Sequence, residues 1–331
     1  MKRFYQVLRY LVLFAIACLL LWFSFRGVHW SDFSEGLKSA NYGWIAASMV
    51  IGITAFLVRA ARWRLIMLPL GKNIKLSDTW HGVNIGYLTN FAVPRAGEIA
   101  RCGVITRRNG IPFESVAGTV VLERSVDLLS MVLIFFSVMI FSWDRFGTFL
   151  SSEIIEAVRQ KFSVNIFWIA GAILLSLIVF FYIIYRYRKR HPFLGKITSI
   201  VKGIFAGVMS GFRMPQKWMF LFYTLLLWTC YWLMSWTTIL AFPAVVGLGP
   251  NDALFLMLVG GFGWVVPVQG GIGAYHFIIS LALTSIYGIS QTTGVVFATI
   301  SHESQSLTMI VCGLASFAAI SLASRVKNKV S

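Results

Sequence analysis

The residues with chemistry to offer gather first in residues 90–101, N-F-A-V-P-R-A-G-E-I-A-R. Between two apolar segments this stretch places Arg95, Glu98 and Arg101, with the amide Asn90 at its start. Arginine presents a rigid fork of donors that matches phosphate oxygens, and Glu98 can neutralise an arginine or carry a proton. A second group, Glu123, Arg124 and Asp127, falls within one apolar helical run, with Glu123 and Asp127 on one face at i and i+4. A charge at the centre of an isolated membrane helix costs about 2.5–3.5 kcal/mol. These three therefore require a polar interior and partners. Salt bridges to Arg95 or Arg101 and direct contact with a substrate are both compatible with that need. For Arg95 and Arg101 the plainer alternative is snorkelling to the interface. In the second half of the chain His276, His302 and Glu303 are ionisable groups at depth, with Gln269 as a neighbouring amide. His302 and Glu303 are adjacent and are expected to face different directions. A histidine in a membrane core more often makes a helix–helix contact than binds a ligand.

The elements that position these groups are broken helices. Pro94 removes a backbone donor and disfavours helix at Val93, so residues 77–108 read as a half-helix, a hinge at Pro94 and Gly97, and a second half-helix. Residues 251–287 repeat the plan, with a hinge at Pro267, Gly270 and Gly271. Broken backbone at membrane depth survives only inside protein or beside a water-filled cavity. The glycines Gly260, Gly261, Gly263, Gly270, Gly271 and Gly273 fit no nucleotide fingerprint and suit close helix packing.

The rest of the chain is a polytopic helical membrane protein by composition. Of 331 residues, 58% are hydrophobic and 12% charged, with apolar runs long enough for a bilayer core of about 30 Å. Full spans are expected at residues 8–25 (uncleaved), 42–58, 115–141, 165–185, 218–241 and 292–323. Surface helices are expected at 144–162 and 193–213. Six full spans plus two re-entrant breaks, or up to eight spans if the breaks cross, make one all-α domain over residues 1–331. The net charge of +17 reads here as topology rather than nucleic-acid binding. With both breaks re-entrant, 23 of the 29 Lys and Arg residues fall on the side of the termini and five on the other, Arg124 lying within a span. That bias makes the termini cytoplasmic in a bacterial-type inner membrane. Trp22, Trp30, Trp44, Trp143 and Trp168 on one side, with Trp63 and Trp218 on the other, suit interfacial belts. The four cysteines are dispersed without metal-ligand spacing, and neither metal nor cofactor is expected.

Val93-Pro94 and Gly97 match Val266-Pro267 and Gly270 at a constant offset of 173. The repeat units, about residues 72–142 and 250–322, enter from opposite sides. Opposed copies of a broken helix are the pattern of inverted-repeat transporters.

Together the motifs resemble a known family. N-x-x-x-P-R-A-G-E-x-x-R, the pair of Arg107 and Arg108 before Asn109-Gly110, E-R-x-x-D at residues 123–127 and R-x-x-R-W-R at residues 59–64 are similar to the membrane domain of lysylphosphatidylglycerol synthase/flippase proteins. The resemblance extends to Gly270-Gly271-Ile272-Gly273, where His276 stands in place of that family's usual glutamate. It implies a flippase-like domain handling an anionic or aminoacylated lipid. Bifunctional members carry a soluble synthase domain after the membrane part; this chain ends at Ser331, and aminoacyl transfer is not expected of it. The leading reading is a lipid translocase for an anionic phospholipid or a polyprenyl-phosphate-linked lipid, not an enzyme. The alternatives are a membrane enzyme acting on a lipid phosphate or glycolipid, and a non-transporting accessory protein. A second copy of the chain, or a lipid synthase, is the protein partner to look for.

The basic asymmetry predicts that a thiol reagent added outside labels Ser152→Cys and spares Lys196→Cys. Labelling only at position 196 would reverse the assignment.

Overall fold

The computed structural model describes residues 2–70, 74–141, 171, 175–176 and 214–330. Its regular elements, among those residues, are all helical: α1 (Lys2–Phe25), α2 (Trp30–Ser39), α3 (Tyr42–Met67), α4 (Leu76–Ala92), α5 (Gly97–Asn109), α6 (Phe113–Phe141), α7 (Lys217–Leu240), α8 (Pro250–Val265), α9 (Ala274–Tyr287) and α10 (Gln291–Val330). Short 3₁₀ turns occupy Leu68–Leu70 and Gln269–Gly271. The chain divides into two compact units, one of Met1–Val120 with Pro215–Ser331 and one of Val121–Met214.

Four helices are long and apolar enough to cross a membrane: Tyr42–Leu70, Lys217–Leu240, Gln269–Tyr287 and Gln291–Ala323. The bent pair Leu11–Phe25 and Trp30–Ser39, at 88°, is a fifth candidate. The chain is thus a multi-pass helical membrane protein. The expected span at 115–141 is a single helix, α6, and is not among these candidate spans. The expected span at 165–185 and the surface helices at 144–162 and 193–213 lie outside the described residues, apart from isolated positions.

Two expectations fail in α3. Its arginines were expected to close a span ending at Val58, with Trp63 in an interfacial belt. Instead the helix continues to Met67, and Arg59, Arg62 and Trp63 are buried. Neighbouring polar groups explain this: Arg59 Nη1 donates to Tyr87 Oη at 2.9 Å, and Trp63 Nε1 donates to Thr119 Oγ1 at 2.9 Å. A satisfied donor can stay inside where an unpaired one could not.

Each broken segment folds back as a hairpin. Asp78, in the first turn of α4, accepts from Arg108 Nε at 2.6 Å and Asn109 Nδ2 at 3.0 Å, at the end of α5. Asp252, in the first turn of α8, accepts from its own capping Gly249 N at 2.8 Å and from Tyr287 Oη at 3.1 Å, at the end of α9. In both hairpins an acid at the entrance therefore holds the exit, which brings the two ends of the broken segment together.

Small residues let the half-helices touch. A Cβ on Gly97 would run into the carbonyl oxygen of Gly86 and come within 2.7 Å of the Asn90 amide. A Cβ on Gly263 would lie 2.7 Å from Tyr275 Cα. On the far side Gly313 of α10 meets α4, with Leu88 Cβ at 2.6 Å from the same construction. Behind α8 and α9 an apolar core includes Ile239, Phe242, Leu256, Ile279, Leu283 and Phe297. Trp232 and Trp236 of α7 pack against it, and Trp232 Nε1 donates to Pro250 O at 2.9 Å.

Gly97→Ala is expected to cost about 1–3 kcal/mol through overpacking at the α4–α5 contact, read as a lower unfolding midpoint in detergent. An unchanged midpoint would mean that the contact yields without cost. A second test concerns Asp78, which lies outside the candidate spans. Burial would raise its pKa, but hydrogen bonds from Asn109 and Arg108 and the Arg108 charge hold it below the ordinary carboxylate value. A depressed folded pKa contributes stability above the unfolded value and loses it as pH falls through the folded one. Acidification through that window should lower the midpoint of the parent more than that of Asp78→Asn; parallel curves would remove Asp78 from the clamp.

Candidate functional site

At the first break, α4 ends at Ala92 and α5 starts at Gly97. Val93 is extended, as a residue before proline should be. Asn90 Oδ1 accepts from Gly97 N at 2.7 Å, so the amide expected to meet substrate closes the turn and occupies the first donor of α5. Arg95 has φ 63°, the one non-glycine residue with positive φ among those described. A left-handed arginine is uncommon, and such strain concentrates where a side chain must be aimed. Arg95 is exposed, and its Nη2 donates to Val265 O at the end of α8, at 2.9 Å. The first break is therefore fastened to the start of the second.

Arg101 is buried, pairs with Glu98 at 2.9 Å and stands over the Trp63 ring at 4.8 Å. That geometry joins an ion pair to a cation–π contact. Arg59 also faces the Tyr87 ring at 5.6 Å. Gly86 and Tyr87 are consecutive on α4, so Arg101, packed on Gly86, and Arg59 flank the same turn. Arg62 completes a second buried position on α3, its Nη1 3.5 Å from Thr224 Oγ1. Arg59 and Arg62 are thus site neighbours, which the sequence marks only as part of the R-x-x-R-W-R motif. Their i, i+3 spacing was the available signal for a shared inward face.

The second break holds the other group. Gly270 and Gly271 take φ 56° and 74°, which side chains other than glycine rarely adopt; Pro267 precedes them, and Gln269 accepts from Ile272 N at 3.1 Å. His302 is fully buried on α10, with Nε2 2.8 Å from the Gly270 carbonyl and Nδ1 2.9 Å from Glu303 Oε1. The expectation that His302 and Glu303 diverge is therefore corrected: the long glutamate stem carries its carboxylate back to the preceding residue. His276 Nε2 lies 4.0 Å from the same oxygen, and the two imidazoles are 4.9 Å apart. Trp264 stacks on His302 at 4.9 Å and 19°.

Glu123, Arg124 and Asp127 belong to the second unit. Glu123 is fully buried, and Arg124 lies 3.7 Å from Asp127. The first unit thus brings together Asn90, Arg95, Glu98 and Arg101 at one break, and His276, His302 and Glu303 at the other, with the Arg95–Val265 bond between the breaks.

A match of 30% identity over 102 residues links the chain to Glycosyltransferase AglD of Haloferax volcanii, covering 30% of this chain and 16% of that protein. The chain thus spans less than a fifth of the length of that relative. No solved structure matches. Residues 10–313 match the family described as the lysylphosphatidylglycerol synthase TM region. With nearly the whole chain inside that match, the protein belongs to this family of membrane domains.

Proposed function

We propose that the chain is a lipid translocase for an anionic or aminoacylated headgroup, working as one flippase-like domain over residues 1–331. The observation that carries this reading is Arg95: an exposed guanidinium on a strained turn, aimed from a helix break and tied to a second break. A guanidinium has five N–H donors. One bond to Val265 O leaves the fork with capacity for a headgroup phosphate. Arg101, Glu98, Arg59 and Arg62 surround the same half-helices and set a positive interior field. A headgroup can sit in such an interior while its acyl or polyprenyl tails stay in the bilayer.

The hairpin closure of the first broken segment, where Asp78 holds entrance to exit at Arg108, supports re-entry rather than crossing; the second is closed likewise by Asp252 with Tyr287, and its half Gln269–Tyr287 is itself long enough to cross. With the basic asymmetry of the sequence, it favours two inverted repeats that open to opposite faces of a bacterial-type inner membrane. The termini are then cytoplasmic, and the lipids reached from that leaflet are anionic phospholipids or polyprenyl-phosphate-linked lipids. Rocking of one repeat against the other would alternate access. The second reading is a membrane enzyme acting on a lipid phosphate or glycolipid. It draws on the name of the archaeal relative, of which this chain covers 16%. Glu123, Arg124 and Asp127 are kept as substrate-facing residues of the second unit.

The test is headgroup binding and translocation in liposomes by Arg95→Lys, Arg95→Ala and Arg95→Gly, with thermal stability followed in parallel. Lysine keeps the charge and loses the fork, so it weakens affinity less than the other two. Alanine and glycine are expected to lose about tenfold to a hundredfold, as for hydrogen bonds to a charged group. Glycine also relaxes the positive-φ turn, so a loss there cannot come from backbone strain. Parent-like translocation in Arg95→Gly removes Arg95 from the site, and product formation without translocation favours the enzyme.

A further inference from the structure

The hydrogen bonds of His302 demand more protons than a neutral imidazole carries. Its Nε2 faces the Gly270 carbonyl at 2.8 Å. A carbonyl only accepts, so this nitrogen must carry hydrogen. Its Nδ1 faces Glu303 Oε1 at 2.9 Å. A neutral ring has one N–H, already committed to Gly270. Its Nδ1 lone pair would then oppose a carboxylate oxygen at hydrogen-bond distance, which is repulsive. One additional positive charge between the two atoms resolves the conflict. Building on the translocase reading above, we infer that His302 and Glu303 form a proton-binding site whose occupancy controls the α8–α9 break.

The surroundings fit a proton. His302 has no exposed side-chain surface, whereas the Glu303 side chain is 58% exposed. The proton sits as Nδ1–H on an imidazolium donating to the carboxylate, and it leaves through the open face of Glu303. The pair then passes from no net charge to one negative charge. Trp264 lies face to face with the ring, where an imidazolium gains cation–π attraction. Among the described residues, the titratable groups facing the pair are His276 and Tyr275 from α9. Tyr275 Oη is held 2.8 Å from Ser301 Oγ. From α10 itself Ser306 Oγ lies 3.4 Å from Nδ1. Trp264 of α8 contributes a ring that does not titrate, while Phe25 of α1 lies against His276 and Phe91 of α4 against Gly270.

Loss of the proton forces a choice. Neutral His302 can donate to Gly270 and repel Glu303, or donate to Glu303 and turn a lone pair on the Gly270 carbonyl. Either way His302 loses one of its two bonds, and in the second case the lost bond is the one that holds the Gly270 carbonyl at the break. Gly270 is one of the left-handed glycines of that break, and its packing partner is Phe91, four residues before Arg95. Arg95 in turn holds Val265 O. Proton occupancy and headgroup occupancy therefore act on the same pair of joined breaks, and binding coupled in this way is reciprocal.

Infrared difference spectroscopy on the full chain in lipid tests the site without any transport. On acidification the parent should show an imidazolium band that both His302→Gln and Glu303→Gln lose. Tryptophan fluorescence gives a second reading that leaves both residues in place: acid quenching by the stacked imidazolium, lost in Trp264→Phe. No band in the parent, or a band surviving in Glu303→Gln, would overturn the proton assignment. The affinity for short-chain phosphatidylglycerol should change about tenfold as the band titrates and stay flat in Glu303→Gln. An affinity that ignores the band overturns the coupling. Absence of lipid binding at every pH, with the band intact, would instead remove the translocase reading and leave the proton site standing.

Discussion

A helix interrupted in an apolar protein leaves backbone donors and acceptors that hydrocarbon cannot satisfy, and the first unit is built around closing two such interruptions. Asn90 takes the Gly97 amide, Arg95 takes the Val265 carbonyl, and His302 takes the Gly270 carbonyl. Each closure comes from a side chain, because each interruption has removed the helical partner. That is costly in any membrane protein, since an unsatisfied group there costs several kcal/mol. A chain that keeps two breaks, and ties one to the other by an arginine in a strained conformation, has a use for the irregular backbone.

The charges obey the same constraint. Arg59, Arg62 and Arg101 are buried, yet each lies against a hydroxyl, a carboxylate or an aromatic face. Arginine suits this role better than lysine because its delocalised charge is weakly hydrated and stacks on rings. The buried guanidiniums are thus held by protein groups where water would otherwise solvate them.

Close approach of backbone makes the arrangement possible. Gly97 against Gly86, Gly263 against Tyr275 and Gly313 against Leu88 bring half-helices nearer than side chains would permit. Without a hydrophobic driving force between helices in lipid, such contacts rest on packing and hydrogen bonding. The acids at the hairpin entrances supply the second of these. Asp78 and Asp252 stand at equivalent places and grip different partners, an arginine with an amide in one case and a phenol in the other.

What the sequence by itself determined is the membrane class, the family motifs, the two breaks at Pro94 and Pro267, and the residues able to hold charge. Periodicity, proline chemistry and the cost of charge in hydrocarbon are local properties, legible in a single chain. Tertiary structure decided the pairings. Nothing in the spacing of Arg95 announces a bond to a carbonyl 170 residues away, because that bond depends on the turn's left-handed φ and on how two hairpins meet. Trp63 reads as an interface residue, and Arg59 and Arg62 as lying beyond a span that ends at Val58, until Tyr87 and Thr119 are brought beside Arg59 and Trp63 from other helices. His302 and Glu303 read as divergent neighbours until a flexible stem and the carbonyl of a distant glycine set both nitrogens of one ring. Charge can be counted along a sequence, but the partner that makes burial tolerable is chosen in three dimensions.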